Sequence, residues 1–201
     1  MERRLSELRL VETAGRGDGY FERDLGALCY ALALYEQVFR MGGPDERQLL
    51  FRLGPLADLD EILALAPDSA LDDLCDLSKY LITTQGALLA STITPNPTFA
   101  GSSYLGGADA DLIVGKRLLD VKVTTSSTIE RSSLWQVLGY SLSDFNDAFG
   151  VDEVGLYFAR HAIQIVWPMS DLLSLMAGRR IEVREVRSEF SSLLRTLSLQ
   201  T

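Results

Sequence analysis

Three observations predict a mixed α/β fold of the α+β kind, with a mixed central sheet flanked by helices and a helical N-terminal half. The 201-residue chain is 47% hydrophobic, enough for a substantial core at this length. Its first half places apolar residues at helical spacing. From Asp109 to Trp167 short apolar runs alternate with polar residues and are punctuated by tight turns, the pattern of strands around one helix.

In chain order, residues 1–19 are charged, end in a glycine-rich turn and read as an N-terminal arm. Residues 20–201 are expected to form a single domain, with a helical part over 20–90 and an α/β core over 96–201. The stripe Leu25, Leu28, Cys29, Leu32, Tyr35 and Phe39 predicts a helix over 20–41, closed by Gly42-Gly43-Pro44. Glu36 falls on that stripe, so a carboxylate points inward. Buried, it needs a partner; the alternatives are a salt bridge to Arg40 at i,i+4, a stripe edge exposed to water, or a place in an acidic cluster. Residues 45–55 fit either a short strand or a helical turn. Helices are expected over 58–66 and from 69 to about 89, separated by Pro67-Asp68, which ends one and caps the next. Residues 92–106 are rich in Thr, Pro, Asn, Ser and Gly and predict a loop or a short edge strand.

Residues 107–124, GADADLIVGKRLLDVKVT, carry the densest signal. Asp109 and Asp111 share a strand face, Leu112-Ile113-Val114 is a buried run, and Gly115-Lys116 is a two-residue turn. In the strand that follows, Leu118, Asp120, Lys122 and Thr124 point one way and Leu119, Val121 and Val123 the other. Closing the hairpin at Gly115-Lys116 pairs Val114 with Arg117 and sets Asp111 opposite Asp120. Opposed carboxylates destabilise a sheet unless compensated, and a divalent cation is the usual compensation. A solvated polar hairpin face is the plainer alternative, weakened by Lys122 on the same face among apolar neighbours.

A polar connection over 125–128 leads to a helix expected over 130–149, with Leu134, Leu138, Leu142, Phe145 and Phe149 on one face. Beside that stripe Gln136 and Tyr140, four apart, stack on one side. Strands are expected over 154–159 and 162–167, joined by a turn at Arg160-His161. A helix over 168–176 ends at Gly178. Residues 181–186 fit a strand or a helix start, and 190–199 a terminal helix.

Composition narrows the function classes. Acidic side chains outnumber basic ones 28 to 19, and the net charge of -9 argues against coating nucleic acid by bulk charge. Residues 57–78 contain seven acids and no base, while arginines gather near both ends, at Arg3, Arg4, Arg9, Arg16 and Arg23 and at Arg179, Arg180, Arg184, Arg187 and Arg195. A local basic track is therefore compatible with the acidic whole. Cys29 and Cys75 lack CxxC spacing and read as buried free thiols. His161 is the single histidine, in a turn position, which leaves no His-rich metal site. No run of about 18 apolar residues and no signal-type apolar stretch in MERRLSELRL is present, so no membrane partner and a cytoplasmic location are expected.

The order helix, hairpin, helix, strand, strand, with Asp111, then Asp120-Val121-Lys122, then Gln136-Val137-Leu138-Gly139-Tyr140, resembles the PD-(D/E)xK nuclease superfamily, and within it the RecB-like nucleases. The resemblance covers residues 96–167, about a third of the chain. It implies a restriction-endonuclease-like core and a nuclease that hydrolyses phosphodiester bonds, with DNA as the expected nucleic acid. By resemblance, Asp111, Asp120 and the Val121 carbonyl would hold Mg²⁺ or Mn²⁺, hard cations suited to oxygen ligands. Lys122 would orient or help deprotonate the attacking water, Gln136 and Tyr140 would support the site, and Glu36 is similar to an acidic residue that many members place on an N-terminal helix as a further ligand. The proline and aspartate that usually precede the first strand are replaced by Gly107-Ala108-Asp109-Ala110-Asp111, leaving two candidate aspartates, of which Asp111 directly precedes the apolar run. No G-x-x-x-x-G-K-[ST] motif occurs, so any ATP-driven unwinding would belong to a partner. The alternative is a nuclease fold used without catalysis, as a binding or assembly module that meets a protein partner or a second copy through its leucine-rich helical half.

Overall fold

The computed structural model describes residues 19–54, 56–86 and 90–198. Of the expected arm over 1–19, residues 1–18 lie outside them, and Gly19 instead opens a helix. The chain divides into two compact units, Met1–Lys79 and Tyr80–Thr201, with the division inside a helix.

The first unit is helical. Helix α1 spans Gly19–Arg40, α2 Leu49–Leu53, α3 Leu59–Leu63, and α4, Asp68–Thr84, runs on into the second unit. Within the ambiguous stretch 45–55, Leu49–Leu53 form one helical turn, and residue 55 lies outside the described residues. Helix α3 is shorter than 58–66 and starts on a capping box: Asp58 accepts from the Glu61 N–H and Glu61 from the Asp58 N–H, each at 2.9 Å. Helix α4 stops at Thr84, earlier than the expected 89. Arg23 ties α1 to α4 through Asp68, at 2.6 Å, and Asp72, so part of the acidic run is answered by a base from α1.

The buried face of α1 differs from the expected stripe. Leu28, Ala31 and Leu34 are buried, whereas Leu25, Cys29, Leu32, Tyr35 and Phe39 are exposed. Close approach decides the matter. Gly26 lets α4 come so near that a Cβ there would sit 3.4 Å from Leu71, and the small Ala31 is buried as well. The bulkier stripe is turned outward, and Cys29 is exposed where a buried thiol was expected.

The second unit is built on a five-stranded mixed sheet with strand order β1-β2-β3-β4-β5. The strands are β1 Ile93–Pro95, β2 Leu112–Val114, β3 Arg117–Lys122, β4 Glu153–Phe158 and β5 Ile163–Pro168. Residues 92–106 therefore supply an edge strand, followed by a 3₁₀ turn at Ser102–Leu105. The β2–β3 hairpin closes with Val114 opposite Arg117 and Leu112 opposite Leu119, the register expected, with Gly115 in the left-handed region at φ 61°. Between β3 and β4, helix α5 (Arg131–Leu142) makes the crossover that a parallel pair requires. A 3₁₀ turn at Ala159–His161 joins β4 to the antiparallel β5.

Helix α6, Met169–Ala177, ends at a left-handed Gly178, and α7 spans Val183–Ser198, so residues 181–186 open the terminal helix. One sheet face carries the main core, where Leu118, Val154, Leu156 and Phe158 meet Val137, Leu138 and Leu142 of α5 and Met169 and Leu172 of α6. Leu119 and Val114 form a smaller cluster on the other face, the division that the alternation in β3 predicts.

Helix α5 is shorter than the expected 130–149. It ends at Leu142, and Phe145 and Phe149 follow in turns. The cause is Asp144, fully buried, whose carboxylate accepts the backbone N–H groups of Ala148 at 2.9 Å and Phe149 at 3.0 Å. Such side-chain acceptance offers the backbone an alternative to the helix.

Candidate active site

Strand β3 and helix α5 position the candidate residues. Asp120 sits third from last in β3, opposite Leu156 of β4, on the face covered by α5 and 2% exposed. Lys122, two residues on, shares that face. Its ammonium lies 2.7 Å from Asp120 Oδ2 and donates to Gln136 Oε1 at 2.9 Å. Gln136 Nε2 in turn donates to the Tyr140 hydroxyl at 3.0 Å. The four-residue spacing that stacks Gln136 and Tyr140 on α5 thus continues a chain of polar contacts that starts at Asp120.

Asp111 completes the cluster. It lies one position before the start of β2, where the register extrapolates to Asp120, and its Oδ2 accepts the Val121 N–H at 2.7 Å. Asp109, by contrast, bridges to Thr98 near the sheet edge. Of the two candidate aspartates, Asp111 is the one whose carboxylate reaches β3.

Burial pushes the Asp120 carboxyl above its ordinary range, Lys122 pulls it back through hydrogen bonding and charge, and the nearby Asp111 pushes it further up. Asp120 Oδ2 is buried, and the Lys122 ammonium at 2.7 Å is the charge that answers it. A carboxylate offers about four lone-pair sites, so one ammonium contact leaves acceptor capacity at Asp120.

The donor set that the resemblance implies is two carboxylates, Asp111 and Asp120, and the Val121 carbonyl. Among the described residues no group of three or more His, Cys, Asp or Glu side chains is placed to hold a metal ion. Two hard carboxylates, a carbonyl and solvent fit Mg²⁺, which keeps several waters and binds through one or two carboxylates.

Glu36 belongs to the first unit, where it is exposed and pairs with Arg40 at 2.7 Å, the i,i+4 partner considered from the sequence. His161, in its turn, contacts the Thr125 carbonyl through Nε2 at 3.1 Å.

The residues that sequence reasoning passed over line a cleft of about 340 Å³ beside Lys122 and Gln136, among them Thr124, Ser126, Thr128 and Glu130. The signal was the run of hydroxyl residues at 124–128, directly after Lys122, which read only as a polar connection. Here it forms the wall of an open polar pocket, internally braced by Ser126 and Thr128 at 2.9 Å.

Comparison with protein-family models, with curated proteins and with solved structures returned no match.

Proposed function

We propose that this chain is a metal-dependent nuclease that hydrolyses phosphodiester bonds, with DNA as the expected substrate, on a restriction-endonuclease-like core. The observation that carries the reading is the continuous polar chain Asp120, Lys122, Gln136, Tyr140 with Asp111 beside it. Asp111, Asp120 and the Val121 carbonyl would hold Mg²⁺ or Mn²⁺. The cation supplies Lewis-acid polarisation of the phosphoryl oxygens and a more acidic water.

The side chains supply the rest. Lys122 is held between a carboxylate and an amide, so its ammonium is aimed before substrate arrives and needs no reorganisation as negative charge develops at phosphorus. Gln136 fixes the lysine from α5, and Tyr140, which accepts from Gln136, keeps its own O–H free to donate toward a phosphate oxygen. Thr128, whose hydroxyl accepts from Ser126 and keeps its own proton, and the Lys122 end of the cleft offer donors for the flanking backbone.

A cleavage assay on single- and double-stranded DNA with Mg²⁺ or Mn²⁺ tests this, with Asp120→Ala and Lys122→Ala alongside. Metal-dependent cleavage lost in both variants is expected; no cleavage of any nucleic acid by the native chain sinks it.

A second reading, the same fold used for binding without catalysis, is favoured by one observation: α1 exposes Leu25, Leu32, Tyr35 and Phe39 on one side. Calorimetric titration with Mn²⁺ separates the two, since a chain that takes up no metal fits only the second.

A further inference from the structure

The late arginines of the sequence do not simply decorate a solvated helix. Helix α7 sets Arg184, Arg187, Ser188, Ser191 and Arg195 at i, i+3, i+4, i+7 and i+11, one helical face. A cleft of about 550 Å³ lies between that face and the turn at residues 145–147, in the same unit as the candidate active site. Its lining carries three guanidinium groups against one carboxylate, Asp147, in a chain whose net charge is -9.

Arg187 makes this a built site. It is 7% exposed, and its Nη1 pairs with Asp147 Oδ1 at 2.8 Å. Its Nε is also buried and has no hydrogen-bond partner among the described residues. A guanidinium held at the cleft wall, largely withdrawn from water and with one carboxylate partner, favours an oxyanion entering the cleft through its positive charge. Arg184 and Arg195 flank it at either end of the face, and the hydroxyls of Ser188 and Ser191 lie between them. Planar guanidinium forks with intervening hydroxyls match the several acceptor oxygens of a phosphate better than the two of a carboxylate.

We propose that this cleft binds the phosphate backbone of a nucleic-acid strand, as a second contact separate from the Asp120–Lys122 site. The assignment rests on the nucleic-acid reading above. Helix α5 links the two places: Gln136 faces Lys122, the helix runs on for six residues, about 9 Å, to Leu142, and the turn at 145–147 then meets α7. Backbone contacts of this kind position a strand without reading its sequence.

The test is binding in EDTA, so that no divalent cation takes part. Fluorescence anisotropy would follow a labelled single-stranded DNA oligonucleotide on the full native chain, on Arg184→Gln/Arg195→Gln, and on a control of equal charge change, Arg47→Gln/Arg52→Gln, with folding checked by thermal melts. The cleft variant should bind roughly 10-fold more weakly at low salt and lose about 0.7 from the slope of log affinity against log salt for each arginine removed, while the control keeps the native slope. Equal losses in both variants, no loss in the cleft variant, or no binding by the native chain overturns the assignment. Inorganic phosphate that stabilises the native chain but not the cleft variant, with oligonucleotide binding unchanged, also overturns it, because the cleft then serves free phosphate. Binding that depends on Arg184 and Arg195 in a chain that cleaves nothing sinks the nuclease reading and keeps this one.

Discussion

Lys122 donates to Gln136 Oε1 at 2.9 Å, a single bond that ties β3 to α5 at the candidate site. Since Gln136 also donates from Nε2 to Tyr140, both ends of its amide are committed and its orientation is fixed. Replacing Gln136 by Leu keeps the volume and releases the lysine. The expected result is a fall in kcat of roughly 10- to 100-fold with KM little changed, because the lost interaction orients a group that acts on the transition state. Tyr140→Phe should cost less, since Lys122 keeps its amide partner. Steady-state kinetics on a DNA substrate checks this; a rise in KM alone would make Gln136 a substrate contact instead.

Asp120→Asn should make the metal-free protein more stable while removing metal binding. Burial raises the Asp120 carboxyl in the folded chain, so on raising the pH the unfolded chain ionises first and the folded chain resists. Stability is therefore lost as pH rises through the ordinary carboxyl range and beyond, and the loss is complete above the folded value. The asparagine variant escapes that loss. At neutral pH it should melt above the native chain, with the gain fading toward acid pH where both forms are uncharged. Melts over a pH series, with and without Mn²⁺, read both effects: the cation should raise the native Tm and leave the variant unmoved. A variant less stable than the native chain at neutral pH contradicts this account.

Much of the candidate site was legible because its residues interact over short sequence distances. The turn at Gly115-Lys116 fixes the β2–β3 register by itself, and with it the approach of Asp111 to Asp120. The spacing of Gln136 and Tyr140 on one helix is equally local. What the sequence concealed depends on packing partners. The buried face of α1 is chosen by the small residues Gly26 and Ala31, whereas hydrophobicity alone favoured the exposed Leu32, Tyr35 and Phe39. The end of α5 is set by a buried carboxylate, while the apolar period runs on through Phe145 and Phe149. The arginine cleft needs the 145–147 turn and α7 together, and no local pattern announces that meeting.

Asp144 gives the third prediction. Its two carboxylate oxygens each accept one backbone N–H, from Ala148 and Phe149, and it is fully buried. Asp144→Ala strands both donors and should destabilise the chain by roughly 2–4 kcal/mol. Asp144→Asn keeps one acceptor oxygen and should recover about half of that. Urea unfolding of the two variants distinguishes them, and equal midpoints would show that the turn holds without the carboxylate.

Two glycine-to-alanine changes provide a matched comparison around the same site. A Cβ on Gly155 in β4 would lie 2.5 Å from the Ile165 carbonyl oxygen and 3.0 Å from Leu119, its partner across the parallel ladder. The carbonyl belongs to the backbone of β5 and cannot rotate away, so β4 must move between its two neighbours. Leu119 immediately precedes Asp120, and the displacement therefore reaches the candidate site as well as the core. Gly155→Ala should cost roughly 1–3 kcal/mol and lower any cleavage activity with it. Gly139 lies within α5 between Gln136 and Tyr140, and a Cβ there meets nothing within 4 Å. Gly139→Ala should stabilise by about 0.5–1 kcal/mol, because alanine loses less backbone freedom in a helix, and should leave activity intact. Thermal melts and cleavage rates on the pair check both signs. A neutral Gly155→Ala would mean that β4 has slack against β5, and a damaging Gly139→Ala that the open space above α5 is occupied when the protein works.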